Sequence, residues 1–165
     1  MSTGPTIKRG ESSGDIWTPQ VFIDAVERKF GTLQVDLAAS LQNHKAPFWL
    51  TEQENSLTVP WHKFNDGRCW LNPPYGNIAP WAKKCAEESK LGAIILFLVP
   101  ASVGANWYWD YVEPFADVYS VGRMVFDNCF DKQGKLVTTS YPKDLILCHY
   151  YSRCTGSRMQ RWRWK

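Results

Sequence analysis

The run Ala93-Ile94-Ile95-Leu96-Phe97-Leu98-Val99 constrains the fold more than any other stretch of the chain. It is apolar at every position, so neither of its faces can meet water, and Pro100 ends it. A strand of this kind fits a sheet covered on both sides, and such sheets are built mainly of parallel strands with helices over each face. The preceding segment agrees. From Pro80 to Ser89, Trp81, Ala82, Cys85 and Ala86 share one helical face with Ile78 just upstream, and Lys83, Lys84, Glu87 and Glu88 make the wet one. Gly92 closes that helix. Before it, Cys69-Trp70-Leu71 reads as a short buried strand. Strand, helix and strand within about 30 residues make a βαβ unit, right-handed by the usual rule.

The Cys69 strand is stopped by Pro73 and Pro74, which have fixed φ and no N–H for a ladder. The chain must leave the sheet at Asn72, and that exit gathers an amide side chain, a proline carbonyl and the ring of Tyr75 at a strand's carboxyl end. Open α/β sheets bind their ligands there. An amide oxygen and a main-chain carbonyl beside an aromatic ring suit the holding of an exocyclic amino group on a flat base. Asn72 Oδ1 and the Pro73 carbonyl can each accept one amino hydrogen, which pulls the nitrogen toward tetrahedral geometry and frees its lone pair to attack. Tyr75 can stack on the base, worth roughly 1–3 kcal/mol. A base in a duplex must first be turned out of the stack. The plain alternative is a tight turn after a strand.

Elsewhere the chain reads as one α/β domain over residues 15–151, preceded by a flexible arm of small and polar residues, 1–14, and followed by a basic-aromatic tail, 152–165. Thr18 as N-cap and Pro19 as first helical residue predict a helix to Phe30, with Val21, Phe22, Ala25, Val26 and Lys29 on one face and Gly31 as its stop. Leu33 to Ser40 is predicted to be a strand running into small residues. Asp36 inside it has two readings: a carboxylate satisfied by local backbone, or one gripping an amine or a ribose. Residues 41–66, broken by Pro47 and Pro60, form a long loop tied down by Trp49, Leu57 and Trp61, with His44 and His62 at the surface. A helix around Trp107 and Tyr111 (104–115) precedes strands at Ala116–Val121, Met124–Phe126 and Leu145–Tyr151. A turn at residues 131–135 gives the sheet an antiparallel end. The architecture is a doubly wound, mostly parallel sheet.

Composition bounds the rest. Charged residues are 21% and hydrophobic residues 44%, as in globular domains, and the net charge of +3 is too mild to announce a nucleic-acid binder by itself. Its distribution matters more: Arg158, Arg161, Arg163 and Lys165 interleave with Trp162 and Trp164. These residues either touch DNA or pack on the domain, and Arg123 after Gly122 is either a phosphate contact or a solvated hairpin residue. The five cysteines form no Cys-x-x-Cys pair and have no histidine partner at zinc spacing, so a reducing, cytoplasmic setting and no metal are expected. No apolar run is long enough to cross a membrane.

Asn72-Pro73-Pro74-Tyr75 resembles the signature of amino-group S-adenosylmethionine methyltransferases. The wider layout is similar to the small phage-type DNA N-6-adenine methyltransferases: Trp17-Thr18-Pro19, Val35 to Ser40, Asn55-Ser56-Leu57 with Trp61, Leu98 to Ala101, and Gly122-Arg123. The resemblance covers about residues 15–150 and implies a class I Rossmann-like fold. It further implies methyl transfer from S-adenosylmethionine to adenine N6 in DNA, leaving S-adenosylhomocysteine. In this reading Asn72, Pro73, Pro74 and Tyr75 are catalytic. Trp17, Thr18 and Pro19 close over the methionine end of the cofactor, Asp36 with the backbone of Ala38 and Ala39 holds it at the first strand, and Asn72 adjoins it. Asn55 stands where related enzymes carry an Asp that reads the cofactor's adenine. Ala38-Ala39-Ser40 replaces the usual Gly-rich loop, and Asn72 stands where many adenine enzymes carry Asp. DNA contacts fall to Arg123, Arg158, Arg161, Trp162 and Arg163. Two other readings stay open: a methyltransferase of another amino group (an RNA base, cytosine N4 or a glutamine amide), and a non-catalytic relative that binds DNA or cofactor. Monomer and homodimer are equally open.

Overall fold

In the computed structural model, residues 17–65, 67–130, 133–156 and 158–165 are described, so the arm and part of the 131–135 turn lie outside them. Helix α1 spans Gln20–Phe30 and ends at Gly31, whose φ of 98° and close approach to the Arg68 guanidinium both suit glycine. Phe22, Ile23, Ala25 and Val26 are its buried residues, whereas Val21 points to solvent. Thr18 does not cap the helix. Pro19 holds the N-cap position with an extended ψ of 138° and no side-chain bond, which leaves Thr18 one residue before the cap with its hydroxyl engaged elsewhere.

Among the described residues seven strands follow: β1 (Val35–Asp36), β2 (Phe48–Trp49), β3 (Arg68–Leu71), β4 (Ile94–Pro100), β5 (Ala116–Gly122), β6 (Leu145–Tyr150) and β7 (Gln160–Arg161), in the order β2-β1-β3-β4-β6-β5-β7. Strands β2, β1, β3 and β4 pair in parallel. Only β6 is reversed: it is antiparallel to β4 and to β5, while β7 is parallel to β5. The antiparallel strand is thus inserted within the sheet rather than placed at its edge. Strand β1 is shorter than predicted: beyond Asp36, whose carboxylate accepts from the N–H of Ala38, only the single bonds from Leu37 N–H to Trp70 and from Ala39 N–H to Leu50 continue the pairing. The predicted strand at Met124–Phe126 is absent. That segment is a buried pad, with Met124 and Phe126 in the core and Asp127 bridged to Trp17.

Helices α2 (Ala79–Lys90) and α3 (Asn106–Tyr111) cover one face of the sheet and α1 the other. Alternation along the buried strands divides their side chains accordingly. Cys69, Leu71, Ile95, Phe97 and Val99 face α2 and α3, whereas Trp70, Leu96 and Leu98 join Phe22, Ile23 and Val26 of α1. The long loop is anchored through Trp61, fully buried, whose indole N–H donates to the Ser56 carbonyl, and through Glu88 on α2. Glu88 accepts from the His62 backbone N–H at 2.9 Å and from Lys84 at 2.9 Å. Burial pushes this carboxyl up, but those donors outweigh it and hold it below the usual range. Cys69, Cys85 and Cys148 are buried free thiols pushed up by desolvation, Cys69 to about 12. Among the described residues no helix is long and apolar enough to cross a membrane, and no group of His, Cys, Asp and Glu could hold a metal.

Candidate active site at the β1–β3 switch point

From β1 the chain steps outward to β2, and from β3 it steps the other way to β4. The crevice between the carboxyl ends of β1 and β3 is therefore the topological switch point of the parallel part of the sheet, where ligands of such folds settle. Register aligns Asp36 with Trp70, so Asp36 and Asn72 leave adjacent strands at nearly the same level.

Asp36 is 3% exposed and both of its carboxylate oxygens accept backbone N–H groups, Oδ1 from Ala38 at 3.2 Å and Oδ2 from Lys45 at 2.9 Å. Burial raises its pKa to about 6 against the pull of those two bonds and of the Lys45 and His44 charges. Local backbone thus satisfies Asp36, and each oxygen keeps a lone pair for a further donor. Ala38 and Ala39 offer less than expected: Ala38 N–H is spent on Asp36 and Ala39 N–H on the Leu50 carbonyl at 2.9 Å. What they leave is close approach over small side chains.

Asn72 is held at both ends of its amide. Its Nδ2 donates to Thr18 Oγ1 at 3.0 Å, and its Oδ1 accepts from the Tyr75 hydroxyl at 2.7 Å. Thr18 is 2% exposed. Its neighbour Trp17 forms a two-bond antiparallel bridge with Asp127, and Pro19 opens α1 by accepting from Phe22 N–H at 3.0 Å. Pro73 is buried and Pro74 exposed, while Tyr75 is half-buried beside Tyr141, ring centroids 5.8 Å apart and edge to face. Burial, and then Tyr141, raise the Tyr75 phenol well above its ordinary value, so it stays a protonated donor.

Sequence reasoning missed Tyr141, Lys45 and Asn43. Tyr141 is held beside Tyr75 by its N–H bond to the Met124 carbonyl at 2.7 Å and by its ring contact with Phe126. Lys45 is drawn between Asp127 and Asp36, and desolvation lowers its pKa. Asn43 Oδ1 is buried without a partner among the described residues, in the loop that follows β1. None carries a motif; only the fold gives them neighbours.

Asn55, in the loop after β2, is an exposed left-handed joint (φ 46°) between two 3-10 turns, and its carbonyl accepts from Thr58. The DNA-contact candidates lie at the far edge of the sheet. Arg123 is exposed after β5 and 3.5 Å from Asp144. Residues 160–165 run beside β5, and from 161 on they alternate: Arg161, Arg163 and Lys165 face solvent, as do Gln160 and Arg158, while Trp162 and Trp164 turn inward. Trp162 lies 5.8 Å from Phe22 and 5.7 Å from Phe30, and Trp164 donates its indole N–H to the Val121 carbonyl at 3.1 Å. Trp162 thus packs, half-buried, against the α1 side of the core. A shallow groove of about 480 Å³ beside this strand is lined by Arg123, Asp144 and residues 161–165.

An inserted antiparallel strand in a parallel sheet, with a carboxylate and Asn-Pro-Pro-Tyr at its switch point, defines the Rossmann-like methyltransferase fold. The family profile of DNA N-6-adenine-methyltransferase (Dam) matches residues 7–155, and the chain belongs to that family. It is similar to the DNA N-6-adenine-methyltransferase of Escherichia phage T1, 30% identical over 105 residues that make up 63% of this chain and 43% of that protein. It is also similar to the protein of that name from Haemophilus phage HP1 (strain HP1c1), 29% identical over 102 residues, 59% of this chain and 57% of that one. The matched region thus spans about half the length of these relatives. No solved structure matches the chain.

Proposed function

We propose that the protein transfers a methyl group from S-adenosylmethionine to the N6 amino group of adenine in DNA, with the base turned out of the duplex. The observation that carries this reading is the Asn72 amide, fixed at both ends and placed one strand away from a buried carboxylate. The donor set fits the cofactor: Asp36 presents an anionic acceptor to its ammonium group, Ala38 and Ala39 allow close approach, and Asn43 Oδ1 is a buried acceptor in need of a donor. When bound, S-adenosylmethionine supplies an electrophilic methyl group on a sulfonium. The protein's own task is then to position and polarise. Asn72 Oδ1 and the Pro73 carbonyl accept the two hydrogens of the adenine amino group, and Tyr75 covers the face of the base. Trp17, Thr18 and Pro19 close the side of the crevice opposite Asp36. The nitrogen sheds its extra proton to water past Asn72 once alkylated.

For DNA, the exposed cations at the β5–β7 edge supply phosphate contacts: Arg123, Arg158, Arg161 and Arg163, joined by Lys165 and, on α1, by Arg28. The assay is transfer of labelled methyl to unmethylated duplex DNA, with the product nucleoside identified after digestion. N6-methyladenosine is the expected product. Transfer to cytosine N4, RNA or protein instead would change the substrate, and cofactor binding without transfer to any acceptor would make the chain a non-catalytic relative.

A further inference from the structure

An asparagine at the catalytic position raises a problem that an aspartate would not. A carboxylate presents an oxygen whichever way it turns, whereas an amide presents an acceptor in one orientation and an NH2 group in the other. In the wrong orientation it would face the target amino group donor to donor. We propose that Thr18 is a positioning residue that holds the Asn72 amide with its oxygen toward the target base, an inference that rests on Asn72 being the acceptor of that amino group.

Three features carry it. Thr18 Oγ1 lies 3.0 Å from Asn72 Nδ2 and is 2% exposed, so the amide's donor end is fixed where water does not compete. Thr18 is itself restrained: its β-branched side chain has few rotamers, Trp17 before it is bridged to Asp127 by bonds of 3.0 and 2.8 Å, and Pro19 after it starts α1. Thr18 also makes no helix cap: Pro19 holds that position without a side-chain bond. At the other end, the Tyr75 hydroxyl donates to Oδ1 at 2.7 Å, which fits the same orientation of the amide. An amide oxygen has two acceptor sites, so one remains for an amino hydrogen of the base.

The test compares Thr18→Val and Thr18→Ser, each in the wild type and in Asn72→Asp. Thr18→Val keeps the shape and loses the acceptor. It should lower kcat about 10- to 100-fold, less than the roughly 10²- to 10³-fold cost of losing a group that itself contacts the transition state, with cofactor affinity by calorimetry within about two-fold of wild type. Thr18→Ser should restore most of the rate. In the Asn72→Asp background the same Thr18→Val change should cost less than about three-fold, since a carboxylate has no orientation to lose. A loss of equal size in both backgrounds, or one that appears in cofactor affinity, would overturn the proposal. The side-chain NH2 resonances of Asn72 give a readout independent of turnover: Thr18→Val should shift them and speed their exchange with water, and unchanged resonances would also overturn it. Should wild-type protein methylate nothing, the functional reading fails, and the resonances still decide whether Thr18 holds the amide.

Discussion

The crevice at β1 and β3 and the edge at β5 and β7 are both polar, but they are built on opposite plans. In the crevice the polar groups are few and shielded, and the two central ones are held by others: Asp36 by two backbone N–H groups, Asn72 by Thr18 and Tyr75. At the edge the charges are long, exposed and mobile by nature, and the tryptophans between them do the anchoring. Buried groups discriminate through geometry, because an unmatched partner in a dry site costs the full desolvation penalty. Exposed cations act through summed charge, each contributing little and all weakened by salt. Chemistry belongs to the first plan and capture of a polyanion to the second.

Substitutions should separate the two regions. Asn72→Ala removes the side-chain acceptor and should lower methyl transfer by about 10³-fold, with cofactor affinity and the salt dependence of DNA binding retained. A large change in the salt slope would mean that the crevice also serves capture.

Asp36→Ala should weaken cofactor binding by about 10- to 100-fold, as expected for losing a charged hydrogen bond. Its pH dependence has a definite sign. Only the ionised carboxylate grips an ammonium group, and burial raises the Asp36 pKa to about 6 despite the Ala38 and Lys45 N–H bonds and the Lys45 and His44 charges. Affinity should therefore be full above about pH 6 and fall roughly tenfold per unit below it. Asp36→Ala should flatten that profile. A wild-type titration already flat from pH 5 to 8 would remove Asp36 from the cofactor site.

Trp162→Ala should act on stability rather than on DNA, lowering it by about 2 kcal/mol, below the usual cost for a fully buried ring because this one is half-covered. Thermal melting measures that loss. A salt slope that changed while melting did not would return the indole to the DNA interface. The smallest effects belong to the cations. Arg161→Ala and Arg163→Ala should each reduce the salt slope by about one and cost only a few-fold in affinity, with kcat at saturating DNA unchanged. Point substitutions are the cleaner test, because removing residues 158–165 would also strip β7 and two core tryptophans.

Much of this arrangement could be read from local pattern. The apolar run at Ala93–Val99 demanded a sheet covered on both faces, and Pro73 with Pro74 forced the chain out of it at Asn72. Both inferences depend on covalent and local facts, namely an unbroken apolar run of strand length and proline's missing N–H. Strand β2 was not readable, since two residues after Pro47 have no periodicity. The Met124–Phe126 pad resembled a strand because burial, not pairing, selects its apolar residues. The tail's alternation was visible as Arg and Trp residues in turn, but which set faced inward depended on α1 lying beneath it.

By itself, the sequence determined the sheet's character, the break at Asn72-Pro73-Pro74-Tyr75 and the family to which the chain belongs. Tertiary structure alone decided what each polar group does. Thr18 and Asn72 are 54 residues apart and meet across the crevice. A threonine before a proline reads locally as a helix cap, and a tryptophan between arginines as a surface for bases. Hydrogen bonding and burial are pairwise properties, and the partner of each residue is set by the path of the whole chain.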